Sequence, residues 1–117
     1  MKSFHEVYRE EKYQQIISAV KNLDMTERYE LMHLKASIVL VDGSELHISE
    51  VWVGDELEKY SFYWLEETEK IIAGWDNAPH HPDIDTFPHH KHGKEGVEPY
   101  KPMNARVVLE RLIDLML

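Results

Sequence analysis

The 117 residues contain no cysteine, so the chain can build neither a disulfide framework nor a thiolate metal site. Basic residues are also scarce. Thirteen Lys and Arg stand against 22 Asp and Glu, a formal net charge of −9. A surface of that sign is unsuited to coating nucleic acid broadly, because phosphate contacts need cations. No apolar run approaches the ~20 residues of a membrane span, and the opening MKSFHEVYREEK is too charged for a signal peptide. Hydrophobic residues make up 43% of the chain. One domain over residues 1–117, with one core and a cytoplasmic location, is therefore expected.

What the chain has in excess is histidine, and it is concentrated. Five of the eight histidines fall between His80 and His92. They lie in the stretch Trp75–His92, WDNAPHHPDIDTFPHHKH, where Pro79-His80-His81 and Pro88-His89-His90 repeat one step. Pro79, Pro82 and Pro88 remove backbone donors and fix φ, which excludes a helix or a central strand and predicts a long loop. Trp75, Ile84 and Phe87 argue that this loop is ordered. Charge is uneven in the same region. Thr86–Arg106 holds Lys91, Lys94, Lys101 and Arg106 against Glu95 and Glu98, so the only positive patch adjoins the histidines.

The apolar pattern places elements around this loop. Ile16, Ile17, Val20 and Leu23, extended back to Phe4, Val7 and Tyr8, predict an amphipathic helix over residues 4–22. Residues 29–41 and 45–53 predict a hairpin around Asp42-Gly43. A three-residue loop Asp42-Gly43-Ser44, with Gly43 left-handed, opposes Leu40 to Leu46, Ile38 to Ile48 and Leu34 to Trp52, keeping apolar residues on one face. It also sets Glu50 opposite Ala36 on that face, either as a paired carboxylate or as an active-site group. Residues 57–65 and 70–76 predict a second hairpin whose four-residue turn opposes Trp64 to Ile71, Phe62 to Ala73 and Tyr60 to Trp75. Its other face carries Lys59, Ser61, Tyr63 and Asp76. Residues 93–102 read as irregular. Asn104 then reads as the N-cap of a final helix whose apolar end, Leu112, Leu115, Met116 and Leu117, suggests a homodimer seam or a partner site. The expected fold is α+β: a four-stranded antiparallel meander sheet with an N-terminal and a C-terminal helix and a long His-rich loop.

Three chemistries remain open for that loop. In metal-free RNA cleavage, His80, His81, His89, His90 and His92 would be the acid and base candidates. Asp76, and Glu50 if it faces the site, would be the carboxylates, and Lys91, Asn77 and Tyr63 would contact substrate. A divalent metal site would instead use His90 and His92, an i, i+2 pair on one face of extended backbone, together with Asp76. In the third reading no cofactor or chemistry is involved: the side chains brace the loop, and the protein acts as a protein-interaction domain.

Tyr60-Ser61-Phe62-Tyr63-Trp64, then Trp75-Asp76-Asn77-Ala78-Pro79-His80-His81, then Thr86-Phe87-Pro88-His89-His90-Lys91-His92 together resemble the TumE family, small toxin components of prokaryotic toxin–antitoxin modules. Motif order and spacing agree over roughly residues 30–95. The resemblance implies growth inhibition that a cognate antitoxin protein neutralises. In the family pattern a basic residue often stands two before the Asp of DNAPHH; here that position is Gly74.

Overall fold

A computed structural model describes residues 3–117. The elements in chain order are α1 (Phe4–Val7), α2 (Glu11–Gln14), β1 (Ile17–Arg28), β2 (Leu31–Leu40), β3 (Glu45–Val53), β4 (Glu56–Leu65), β5 (Ile71–Asp76), β6 (His90–Gly93), β7 (Gly96–Pro99) and α3 (Ala105–Met116). The strands form one antiparallel meander in the order β1 to β7. The class is α+β as expected, but the sheet has seven strands rather than four.

The extra strands have separate causes. The N-terminal helix expected over residues 4–22 is two single turns followed by a twelve-residue strand. β1 is an edge strand with no fully buried side chain, so it lacks the alternation that announces a half-buried strand. It forms because β2 would otherwise leave a row of backbone donors and acceptors unpaired. At the other end, residues 90–92, expected in the loop, and the following stretch, expected to be irregular, close together as the β6–β7 hairpin, with Gly96 at φ 105° in the turn. Pro99 is tolerated there because β7 is the outer edge.

The face expected to be apolar is the core. Leu34, Ile38, Trp52 and Phe62 are buried on it, with Trp64 packed partly against them. Phe4, Val7 and Tyr13 from the short helices and Val108, Leu109 and Leu112 from α3 belong to the same core. Asn104 caps α3, accepting from the Val107 amide at 2.9 Å. Among the described residues, no helix is long and apolar enough to cross a membrane.

Both expected registers are wrong by two residues, which preserves the faces. The first loop has the expected length but begins one residue earlier: Val41-Asp42-Gly43, closed by Leu40 N–H donating to the Ser44 carbonyl at 2.8 Å. Asp42 Oδ1 accepts from the Ser44 amide at 2.9 Å and draws Ser44 into the turn, with Gly43 at φ 90°. Ile38 therefore faces Leu46, Ala36 faces Ile48, and Leu34 faces Glu50. In the second hairpin an extra residue, Ile72, lies between the pairs Leu65–Ile71 and Trp64–Ala73. That bulge sets Phe62 opposite Trp75, Tyr63 opposite Gly74 and Ser61 opposite Asp76.

Candidate active site

Strand alternation puts Lys35, Ser49, Ser61, Asp76 and His90 in register across five neighbouring strands. The adjacent row runs Ser37, His47, Tyr63, Gly74, His92. Both rows lie on the face away from the helices.

Asp76 is buried and is the hub. Its Oδ2 accepts from the Tyr63 hydroxyl at 2.5 Å, and its Oδ1 accepts from the Ala78 amide at 3.0 Å. His90 Nε2 lies 2.9 Å from Oδ1 and His92 Nε2 lies 3.2 Å from Oδ2. The two Nε2 atoms are 3.0 Å apart. His81 joins from the loop, its ring centroid 5.0 Å from that of His90. Burial raises the Tyr63 hydroxyl pKa, and the bond to the Asp76 carboxylate raises it further, so Tyr63 stays protonated and donates.

Gly74 permits this arrangement. A Cβ at that position would fall 2.3 Å from both Cδ1 and Cε1 of Tyr63. The Tyr63 ring therefore lies against the bare backbone of β5, where its hydroxyl reaches Asp76. A basic side chain at position 74 would compete for the space the ring occupies.

An open groove of about 850 Å³ runs along this face, and Tyr63 and Asp76 lie in its wall. Lys35 and Lys59 line it, with His33 and, at the loop end, His80 and Phe87. Neither lysine forms an ion pair among the described residues. The two lysines escape a search centred on the loop, because their strands are far from it in sequence. Their signal was the polar alternation of the two hairpins.

Four of the site candidates stand outside the Asp76 cluster, although Asn77 lines the groove beside it. Glu50 is buried on the helix-covered face, where its carboxylate accepts from the Phe4 amide at 3.0 and 3.2 Å and from the Trp52 indole at 3.3 Å. Desolvation outweighs those donors and pushes its pKa up to about 7. Lys91 points away from His90 and His92 because it is the residue between them on a strand; its ammonium lies over the rings of Trp75 and Tyr100. Asn77 is held at both ends, accepting from the Tyr60 amide at 2.9 Å and donating to the Glu58 carbonyl at 3.0 Å. His89 stacks on Tyr60 and hydrogen-bonds its hydroxyl at 2.7 Å, and burial lowers its pKa. The structure thus brings together Asp76, His81, His90, His92 and Tyr63, with His80 at the rim of the groove.

The family model described as "Toxin TumE" matches residues 7–116, nearly the whole chain. No curated protein matches, and no solved structure does.

Proposed function

Since the chain belongs to the TumE family of toxins, we propose that it is the toxin of a toxin–antitoxin pair and that it cuts RNA at the Asp76 cluster. The observation that carries this reading is one buried carboxylate within 3.2 Å of two imidazoles, set in the wall of a groove lined by two lysines that form no ion pair among the described residues. Cleaving a phosphodiester requires positive charge where the phosphate gains negative charge, and a group that takes the proton from the attacking hydroxyl. Lys35 and Lys59 hold the strand by its phosphates, and the cluster supplies the positive centre. The exposed imidazole of His80 exchanges protons at the rim. A single strand suits the groove better than a duplex, because Phe87 and Tyr63 offer ring surface beside it.

The cytoplasm is where such a substrate is met. The antitoxin is a protein that covers the groove, and the strongly acidic remainder of the surface suits a basic segment of it. Homodimerisation through α3 has less to use than the sequence promised. Leu112 is in the core and Met116 packs partly against it, which leaves Leu115 and Leu117 exposed.

The test is induced expression in a bacterial host, with total RNA extracted as growth stops. Wild type should arrest growth and leave cut RNA, and His92→Gln should do neither at equal protein level. Arrest with intact RNA would refute the RNA reading. Equal arrest by the His92 variant would place the active centre elsewhere.

A further inference from the structure

We propose that His81, His90 and His92 bind a divalent transition-metal ion, with zinc the preferred occupant and Asp76 as the adjoining carboxylate. This deepens the reading of the cluster as the reacting centre, and metal binding can be measured without any cleavage assay. One nitrogen from each of the three imidazoles lies within 4.8 Å of the other two. The rings meet at interplanar angles of 73°, 68° and 74°, so no two of them are stacked face to face.

The hydrogen bonding of His90 sharpens the case. Its Nδ1 is 3.0 Å from the Pro88 carbonyl oxygen, which can only accept, so Nδ1 carries the hydrogen. In the neutral ring, Nε2 then presents a lone pair. That lone pair faces His92 Nε2 at 3.0 Å and Asp76 Oδ1 at 2.9 Å. His92 Nε2 can carry a hydrogen, but the His90 lone pair and the Asp76 carboxylate both accept, and they repel unless something positive lies between them. A single proton bridges two such atoms. Three imidazole nitrogens and a carboxylate call for a centre that takes several ligands at once, and a metal ion is one. His90 is 2% exposed, so water has little access to relieve the repulsion.

The surroundings have the form of a metal site's supporting layer. The Pro88 carbonyl fixes the ring of His90, and the Tyr63 hydroxyl and Ala78 amide hold Asp76. Zinc–nitrogen bonds of about 2.0–2.1 Å in a tetrahedral site separate ligand nitrogens by roughly 3.3 Å. The His90–His92 pair, at 3.0 Å, is within a few tenths of an ångström of that, and His81, within 4.8 Å of both, closes in by up to about 1.5 Å when its ring turns toward the ion. A donor set of imidazoles with one carboxylate selects a first-row transition metal over magnesium or calcium, which prefer all-oxygen sites. Such an ion would supply the positive centre against the scissile phosphate.

The experiment uses untagged full-length protein, stripped with chelator, dialysed and titrated with Zn²⁺. Bound metal is measured by mass spectrometry and thermal unfolding by calorimetry. The expected result is one ion per chain at micromolar or lower free zinc, with a raised Tm. His81→Ala should weaken binding at least a hundredfold, while His80→Ala and His47→Ala bind as wild type. His81 is only half-buried; if its variant fails to fold, His92→Gln replaces it. Substoichiometric binding, or full retention of binding by His81→Ala and His92→Gln, would overturn the proposal. Stoichiometric zinc on a protein that cuts no RNA in any metal state would sink the RNA reading and leave the metal site standing. RNA cutting at full rate by stripped protein that takes up no zinc would do the reverse.

Discussion

Replacing Glu50 by glutamine should change how stability depends on pH. In the folded chain its carboxyl is pushed from 4.5 up to about 7, chiefly by desolvation. Unfolded, it should return to the ordinary carboxylate range. A group whose folded pKa is raised contributes stability that is fully present below the unfolded value. That contribution is lost as pH rises through the folded value. The window is therefore about pH 4.5 to somewhat above 7. The displacement corresponds to about 3 kcal/mol between the two protonation states. Glutamine keeps an oxygen to accept from the Phe4 amide and the Trp52 indole, and carries no charge to desolvate. Urea unfolding followed by tryptophan fluorescence, at intervals from pH 4.5 to 8.5, reads the difference. Wild type should lose about 3 kcal/mol relative to Glu50→Gln across that range, and Glu50→Gln should remain toxic because Glu50 faces the helices. Parallel pH profiles would show that the Phe4 and Trp52 donors hold the carboxylate ionised at no cost, and would refute the argument.

Gly74→Ala should push the Tyr63 ring off Asp76, since the added carbon would fall 2.3 Å from that ring. Cleavage should fall about tenfold, the loss of roughly one hydrogen bond's worth of positioning, and Tm by several degrees; unchanged cleavage at a temperature well below both melting points would mean that the Tyr63 hydroxyl is dispensable. Charge reversal at Lys35 and Lys59 together should weaken single-stranded RNA binding, measured by fluorescence anisotropy, and reduce the salt slope by about 1.4, at ~0.7 for each phosphate that is no longer neutralised. An unchanged slope would place the RNA outside the groove. Light scattering should show Leu115→Lys/Leu117→Lys as monomer; if wild type is already a monomer, the end of α3 is not a dimer seam.

The faces of the sheet were legible because strand parity survives a register error of two. Leu34, Ile38, Trp52 and Phe62 went inside under either register, and Tyr63 shared a face with Asp76. The registers themselves were not legible. One was set by the Asp42 carboxylate binding Ser44, and the other by the bulge at Ile72, neither of which apolar pattern reports. β1 was hidden because an edge strand with no fully buried side chain carries no period-two signal, while Ile16, Ile17, Val20 and Leu23 happen to match a helix. Of the site, His90 and His92 on one face followed from extended backbone, and Asp76 from ending its strand on the polar face. Sequence proximity does not place Lys91, Asn77 and His89 in the Asp76 cluster. Each lies within the histidine-rich stretch, yet one packs on the rings of Trp75 and Tyr100, one clips β4, and one stacks on Tyr60.

Although Asp76 lies off the apolar face, alanine there would strip a buried hub of its four partners. Asparagine is the fairer substitution, keeping the shape and an acceptor for Tyr63. The decisive quantity for Asp76 as the hub of an RNA-cutting centre is the rate at which purified protein cuts an end-labelled single-stranded RNA, compared between wild type and Asp76→Asn at temperatures well below both melting points. Wild type should cut, and the variant should lose at least a hundredfold in rate, about 2.7 kcal/mol of barrier. Equal rates in the two proteins would contradict that role.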